Sequence, residues 1–205
     1  MKPDIRLATL QRWASSSSGL RNALTKARSI LVRRGLAGPP APIPFRGTRT
    51  MDMTWITGRI AIGGGIWRPD NMALVAEAGI THIIDMQIEF DDTSLAEPFA
   101  IEVLWNPTDD DFQPKPPELF QRAVDFALHA LDQPETKLYV HCAAGVHRAP
   151  MMTLAILCSL SWTMEQAMDL IEAKRPVVDF ADVYVDSVER FLQQQLSSKR
   201  SPIIQ

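Results

Sequence analysis

The 205-residue chain is predicted to fold as an α/β layer protein, a twisted, mostly parallel sheet of about five short strands flanked by helices. Three observations predict it. Short apolar runs alternate with segments of helical periodicity along most of the chain. Proline and glycine punctuate the joints between them. One stretch, LYVHCAAGVHRAP at 138–150, passes from an apolar run through a tight loop into a helical pattern. Its polar residues then fall at the carboxyl end of a strand, where α/β sheets gather their ligands.

Each element has a local reason. Residues 55–56 and 59–62 read as strands around a turn at Thr57 and Gly58, and the glycines at 63–65 indicate only a flexible turn. Residues 69–78 predict a helix, with Pro69 in its first turn and Gly79 as its stop. Residues 81–86 form a buried strand, followed by an acidic loop carrying Glu89, Asp91 and Asp92. A strand at 101–105 gives way to a surface loop from Asn106, marked by prolines at 107, 114, 116 and 117. Phe120, Val124, Ala127, Leu128 and Leu131 share one face of a helix over 117–131. After a strand at 138–141, three helices cover about 148–161, 163–174 and 182–197, the second opened by Thr163 and Gln166 at capping-box spacing. Met151, Met152, Trp162 and Met164 are read as packing residues.

Charge divides the chain. Residues 1–50 hold ten basic side chains and one acid, a local +9, while the other 155 residues carry −12. Helical spacing at Leu7, Leu10, Leu20, Leu24 and Leu31, then a proline-rich stretch at 38–44, describe a basic amphipathic arm and a stiff linker over 1–50. The catalytic domain is then expected over 51–200. The arm has three readings: a solvated helix, a contact with an anionic membrane surface, or an organelle transit peptide. Trp13 alone among its bases offers a stacking platform, so nucleic acid is not an expected partner. No apolar run is long enough to span a bilayer, and no secretory pattern follows the basic start. The two cysteines, Cys142 and Cys158, are too few for a disulfide framework, which favours a reducing, cytoplasmic setting.

The chemistry centres on Cys142 and Arg148. A loop between a strand and a helix N-terminus turns backbone amides and the helix dipole toward one point, and Arg148 adds a fork of donors. That is an anion site, and its field favours the thiolate of Cys142. HisCysAlaAlaGlyValHisArg, with five residues between Cys142 and Arg148 and Gly145 among them, resembles the signature of the cysteine-dependent protein phosphatases. The likeness runs from about Trp55 to Leu196 and takes in the strand ending at Asp85 and the pair Arg175 and Pro176. Its compact length is similar to the dual-specificity branch.

The resemblance implies that Cys142 attacks phosphorus to form a phosphocysteine, while Arg148 and the amides of Ala143, Ala144, Gly145, Val146 and His147 hold the phosphate oxygens. No metal and no cofactor are implied, because the loop supplies the positive charge. His141 would help set the environment of the cysteine, or is simply a satisfied core histidine. Relatives place the general acid three residues beyond a proline after the preceding strand. Counting from Pro107 gives Asp110, with Asp109 and Asp111 as alternatives. His147 either touches substrate at the rim or is an exposed loop residue. The family usually has Ser or Thr after the arginine. Ala149 stands there instead, which puts in doubt the speed of phosphoenzyme breakdown, although ArgAlaPro is similar to the ending in plant plastid glucan phosphatases.

The expected activity is therefore a phosphomonoester hydrolase acting on phosphotyrosine or phosphoserine and phosphothreonine in proteins. The alternatives are a related phosphatase of phosphorylated glucan or lipid, and a catalytically weakened phosphate-binding module. The expected partner is a phosphorylated protein, and the chain is expected to be a monomer.

Overall fold

The structure, a computed structural model, describes residues 50–200. The expected basic arm and linker over 1–50 lie almost wholly outside the described residues. Five strands form one sheet: β1 (Met53–Trp55), β2 (Ile60–Gly63), β3 (His82–Gln87), β4 (Glu102–Thr108) and β5 (Leu138–His141), in the order β1-β2-β5-β3-β4. The β1–β2 pair is antiparallel and the other three pairings are parallel. The helices are α1 (Pro69–Glu77), α2 (Thr93–Ala96), α3 (Pro117–Leu131), α4 (Arg148–Ser159), α5 (Met164–Lys174) and α6 (Asp182–Arg200). A 3-10 turn spans Glu97–Phe99.

The central strand is β5, paired on both sides and buried throughout. Side chains alternate across a strand, so the sheet has two buried faces of different character. One face carries Ile60, Ile62, Ile84, Met86, Leu138 and Val140 into the main core with α3, α4 and α6. The other carries Ala61, Ile83 and Tyr139, and at the carboxyl ends Asp85 and His141, which are register partners. Helix α4 is buried over its first ten residues, from Arg148 to Leu157, so it is enclosed on all sides rather than amphipathic. Met151 and Met152 lie inside it. The Thr163 hydroxyl caps α5 by accepting from the Gln166 amide, and Gln166 returns the bond to the Thr163 amide, both at 3.2 Å.

Three expectations need correction. Strand β4 does not stop at Trp105 but continues through Pro107 to Thr108. It is an edge strand, and an irregularity between Asp85 and Gln87 absorbs one extra β4 residue there, so the proline has no ladder bond to break. Trp162 does not pack as a core residue. It follows Ser161, whose φ of 75° turns the chain out of α4, and 38% of its surface is exposed.

The glycines at 63–65 are not a loose turn. Gly63 is the last residue of β2, and a Cβ there would run into the Asp52 carbonyl and the Tyr139 hydroxyl. The Tyr139 hydroxyl donates to the Gly64 carbonyl at 2.7 Å, pinning the segment from below. Gly63→Ala should therefore destabilise the fold by at least about 2 kcal/mol, read as a lower urea midpoint, because backbone rather than a movable side-chain end must shift.

Candidate active site

The site is built at the carboxyl end of β5. Cys142 follows the strand directly and is almost fully buried, and the loop over 143–147 leads into α4 at Arg148. Every carbonyl of that loop is engaged on its outer side. Gly65 donates its amide to the Ala143 carbonyl at 3.1 Å, and Asp179 donates its amide to that of Val146 at 3.0 Å. The Arg175 guanidinium donates to the carbonyls of Ala144 at 3.1 Å and Gly145 at 2.9 Å. The His147 carbonyl accepts the first α4 ladder bond, from Met151.

In a trans peptide the N–H points opposite to the C=O, so turning the carbonyls outward turns the following amides inward, toward Cys142. The Gly145 amide shows it by donating to Cys142 Sγ at 3.2 Å. Gly145 itself has φ 64°, and a Cβ there would sit 2.6 Å from the Gly63 backbone and 2.7 Å from Arg175 Nη2. Only glycine fits that position.

Arg175 is therefore a brace for the loop. Asp52 holds it with a bidentate pair at 2.8 and 2.7 Å, and Thr54 accepts a further bond at 3.1 Å. Hydrogen bonding to Asp52 raises its affinity for its proton. The Arg175 and Pro176 pair was legible only as part of a resemblance. Its partner lies 123 residues away, and no local pattern carries that contact.

Arg148 is buried and held from below. Its Nη1 and Nη2 each donate to a Glu89 oxygen at 2.9 Å, and Nη1 also donates to the Thr108 carbonyl at 3.0 Å. These bonds hold the Glu89 carboxyl below its ordinary range. Glu89 was read only as part of an acidic loop after β3, whereas it is the partner that fixes the arginine.

The three candidate acids separate clearly. Asp110 faces the loop: its Oδ1 accepts from the Tyr184 hydroxyl at 3.0 Å, its Oδ2 lies 3.1 Å from His147 Nδ1 and 3.7 Å from Arg148 Nε. Burial pushes the Tyr184 hydroxyl up to about 12, so it stays protonated and donates. Asp111 turns away, paired with Lys115 and accepting from the Gln113 amide, and its carboxyl is held down by Lys115. Asp109 is exposed. Phe112, at φ 54°, stacks on Tyr184 and donates its amide to that hydroxyl at 3.0 Å. Ala149 is fully buried at the start of α4, and its carbonyl accepts from the Thr153 hydroxyl.

Behind Cys142 sits a fully buried trio. His141 Nε2 is 3.0 Å from an Asp92 oxygen and 3.8 Å from Asp85 Oδ1, and its ring stacks on Tyr139. The His141–Asp92 contact is close but not aligned as a hydrogen bond. Asp85 accepts the amides of Gln87 at 2.8 Å and Asp92 at 3.3 Å. Among the described residues these are the one trio of His, Cys, Asp or Glu close enough to share a metal ion, with ligand atoms within 4.8 Å. Asp92, expected in an acidic loop, is thus an interior group.

A buried thiol that accepts a loop amide, an arginine fork and a facing carboxyl make the arrangement that cysteine-based phosphate-ester enzymes use. Residues 68–194 match the family "Dual specificity phosphatase, catalytic domain". The chain is 29% identical over 203 residues to dual specificity protein phosphatase 26 of Bos taurus, covering 92% of this chain and 93% of that protein. Among solved structures it is similar to PTPMT1 in complex with PI(5)P, with TM-score 0.63 and 19% identity over 73% of this chain and 99% of that one. It is also similar to a mouse putative dual specificity phosphatase complexed with zinc tungstate, with TM-score 0.61 and 15% identity over 77% and 97%. The chain belongs to the dual specificity phosphatase family and is a protein phosphatase acting on phosphorylated substrates. Among the described residues no helix is long and apolar enough to cross a membrane.

Asp85 gives a test of the buried trio. Burial raises its carboxyl from 3.8 to about 7, with the neighbouring His141 pulling the other way. The unfolded chain gives up that proton earlier, so this group's contribution to stability is full at low pH and is lost between about pH 4 and 7. Melting temperature against pH should fall less steeply over that window in Asp85→Asn than in the parent. An identical slope would show that Asp85 holds no such proton.

Proposed function

We propose that residues 51–200 form the catalytic unit, that Cys142 attacks the phosphorus of a phosphorylated side chain, and that Asp110 protonates the leaving oxygen. The observation that carries this reading is the free edge of Arg148. Glu89 and Thr108 take both hydrogens of Nη1 and one of Nη2. The Nε–H is buried and makes no hydrogen bond, its nearest acceptor being Asp110 Oδ2 at 3.7 Å. Together with the second hydrogen of Nη2 it forms a parallel donor pair, the edge that binds two oxygens of a phosphate. A buried donor edge of this kind is stabilised by accepting oxygens, as a bound phosphate supplies.

In the first step the thiolate forms the S–P bond, the P–O bond to the leaving group breaks, and Asp110 supplies the proton. The inward amides of residues 143–148 and the Arg148 edge hold the equatorial oxygens as charge builds. In the second step water attacks the phosphocysteine, Asp110 takes a proton from it, and Cys142 leaves as thiolate. Ala149 offers no hydroxyl to that departing thiolate, so this second step is the slow one. Between Cys142 and Arg148 the loop carries no lysine or arginine, which suits singly phosphorylated protein side chains better than multiply phosphorylated lipid headgroups. The strongly basic segment 1–50 is a solvated arm, a contact with an anionic membrane surface or a transit peptide, and the catalytic unit is read as a monomer.

The test uses phenyl phosphate in EDTA. Turnover should continue without metal, be abolished by vanadate, and fall about a hundredfold or more in Asp110→Asn near neutral pH. Asp111→Asn should fall far less, because Asp111 is bound to Lys115 rather than turned to the loop. Equal losses in the two variants would remove Asp110 from the role.

A further inference from the structure

His147 contributes only its backbone to the mechanism above, yet its ring is held on three sides. Nδ1 stands 3.1 Å from Asp110 Oδ2, and Nε2 stands 3.3 Å from Asp179 Oδ2 in the connection between α5 and α6. The Phe112 ring meets it edge-on, with centroids 5.1 Å apart. The other charged or titratable groups around the pair are few. Arg148 Nε is 3.7 Å from the same Asp110 oxygen, with Glu89 on the far edge of its guanidinium. The Tyr184 hydroxyl binds the second Asp110 oxygen, and Lys115 lies over the Tyr184 ring at 5.4 Å while bound to Asp111.

We propose that His147 and Asp110 act as one proton-holding pair, in which the imidazole keeps a proton available to the acid at neutral pH. The proposal rests on Asp110 being the general acid. A lone carboxyl of ordinary acidity has lost its proton well below pH 7 and would meet the leaving group as a carboxylate. The 3.1 Å contact lets one proton pass directly between Nδ1 and Oδ2. The Asp179 carboxylate, 3.3 Å from Nε2, favours a proton on that nitrogen and leaves Nδ1 as the one that faces Asp110.

The proton count closes over the cycle. As the P–O bond breaks, the single proton held between Nδ1 and Oδ2 passes through Asp110 to the leaving oxygen, leaving a neutral imidazole that keeps its Nε2–H and an Asp110 carboxylate. When water attacks the phosphocysteine it returns one proton to Asp110, the S–P bond breaks, and the pair is reset. His147 acts through Asp110 and is thus a positioning residue that also stores the proton.

The experiment compares pH profiles of kcat/KM for phenyl phosphate, whose leaving group needs the acid, and para-nitrophenyl phosphate, whose leaving group needs it less. His147→Asn keeps an amide to bond Asp110 but cannot hold the extra proton. In it the alkaline limb for phenyl phosphate should move down by about one pH unit or more, and phenyl phosphate should lose about tenfold more at pH 7 than para-nitrophenyl phosphate. An unmoved limb, or equal losses on both substrates, overturns the pairing and leaves His147 as loop structure. NMR titration of the His147 ring provides a reading that needs no change in the loop. Its midpoint should fall in Asp110→Asn, and an unchanged midpoint overturns the proposal. The Asp110 assignment is checked separately: if Asp110→Asn leaves the phenyl phosphate profile intact, the acid itself is misassigned. If Asp110→Asn removes the limb while His147→Asn does not shift it, only the pairing fails.

Discussion

The structure depends on one constraint: the peptide units after Cys142 must all turn their carbonyls away from the sulfur. Backbone polar groups do not stay buried without partners, so the inward amides are affordable only if every outward carbonyl is bonded. Gly65, Arg175, the Asp179 amide and the first turn of α4 supply those bonds from four separate segments. That demand explains residues which otherwise look unrelated. Gly145 lets the loop pass between Gly63 and Arg175. Asp52 charges and orients Arg175, and Tyr139 anchors the backbone at Gly64.

A second layer of order comes from β5 lying at the middle of the sheet. Its apolar face joins the core, while its other face brings Tyr139 and His141 against Asp85 and Asp92. Charged groups with no exposure are expensive; burial raises the Asp85 carboxyl to about 7, and it accepts two backbone amides. The result is a rigid polar floor directly beneath Cys142, joined to it by one peptide bond. Above the loop the arrangement is looser. Asp110, His147 and Phe112 are each partly or well exposed.

What could be read from the sequence was whatever the chain encodes within a few residues. Leu138–His141, Pro117–Leu131 and the Thr163 cap appear as expected because apolar period and capping are local properties. Cys142, Arg148 and Gly145 stood out through their spacing, and the count from Pro107 led to the carboxyl that faces Arg148. The misses share a different cause. Pro107 stays in a strand because β4 is an edge with a bulge, which only the pairing reveals. Gly63 is set by Asp52 and Tyr139, Glu89 by an arginine 59 residues on, and Asp92 by His141 across the sheet. Long-range partners decide these positions, and no window of sequence contains them.

The proposed mechanism makes Cys142 Sγ the atom that receives the phosphate. The most direct measurement is rapid acid quenching during turnover of a phosphate-labelled substrate, followed by peptide mapping. The account predicts label on the peptide carrying Cys142 within the first turnover, accumulating because Ala149 leaves the second step slow. Steady release of phosphate with no label on that peptide at any time, or label on another side chain, would contradict it.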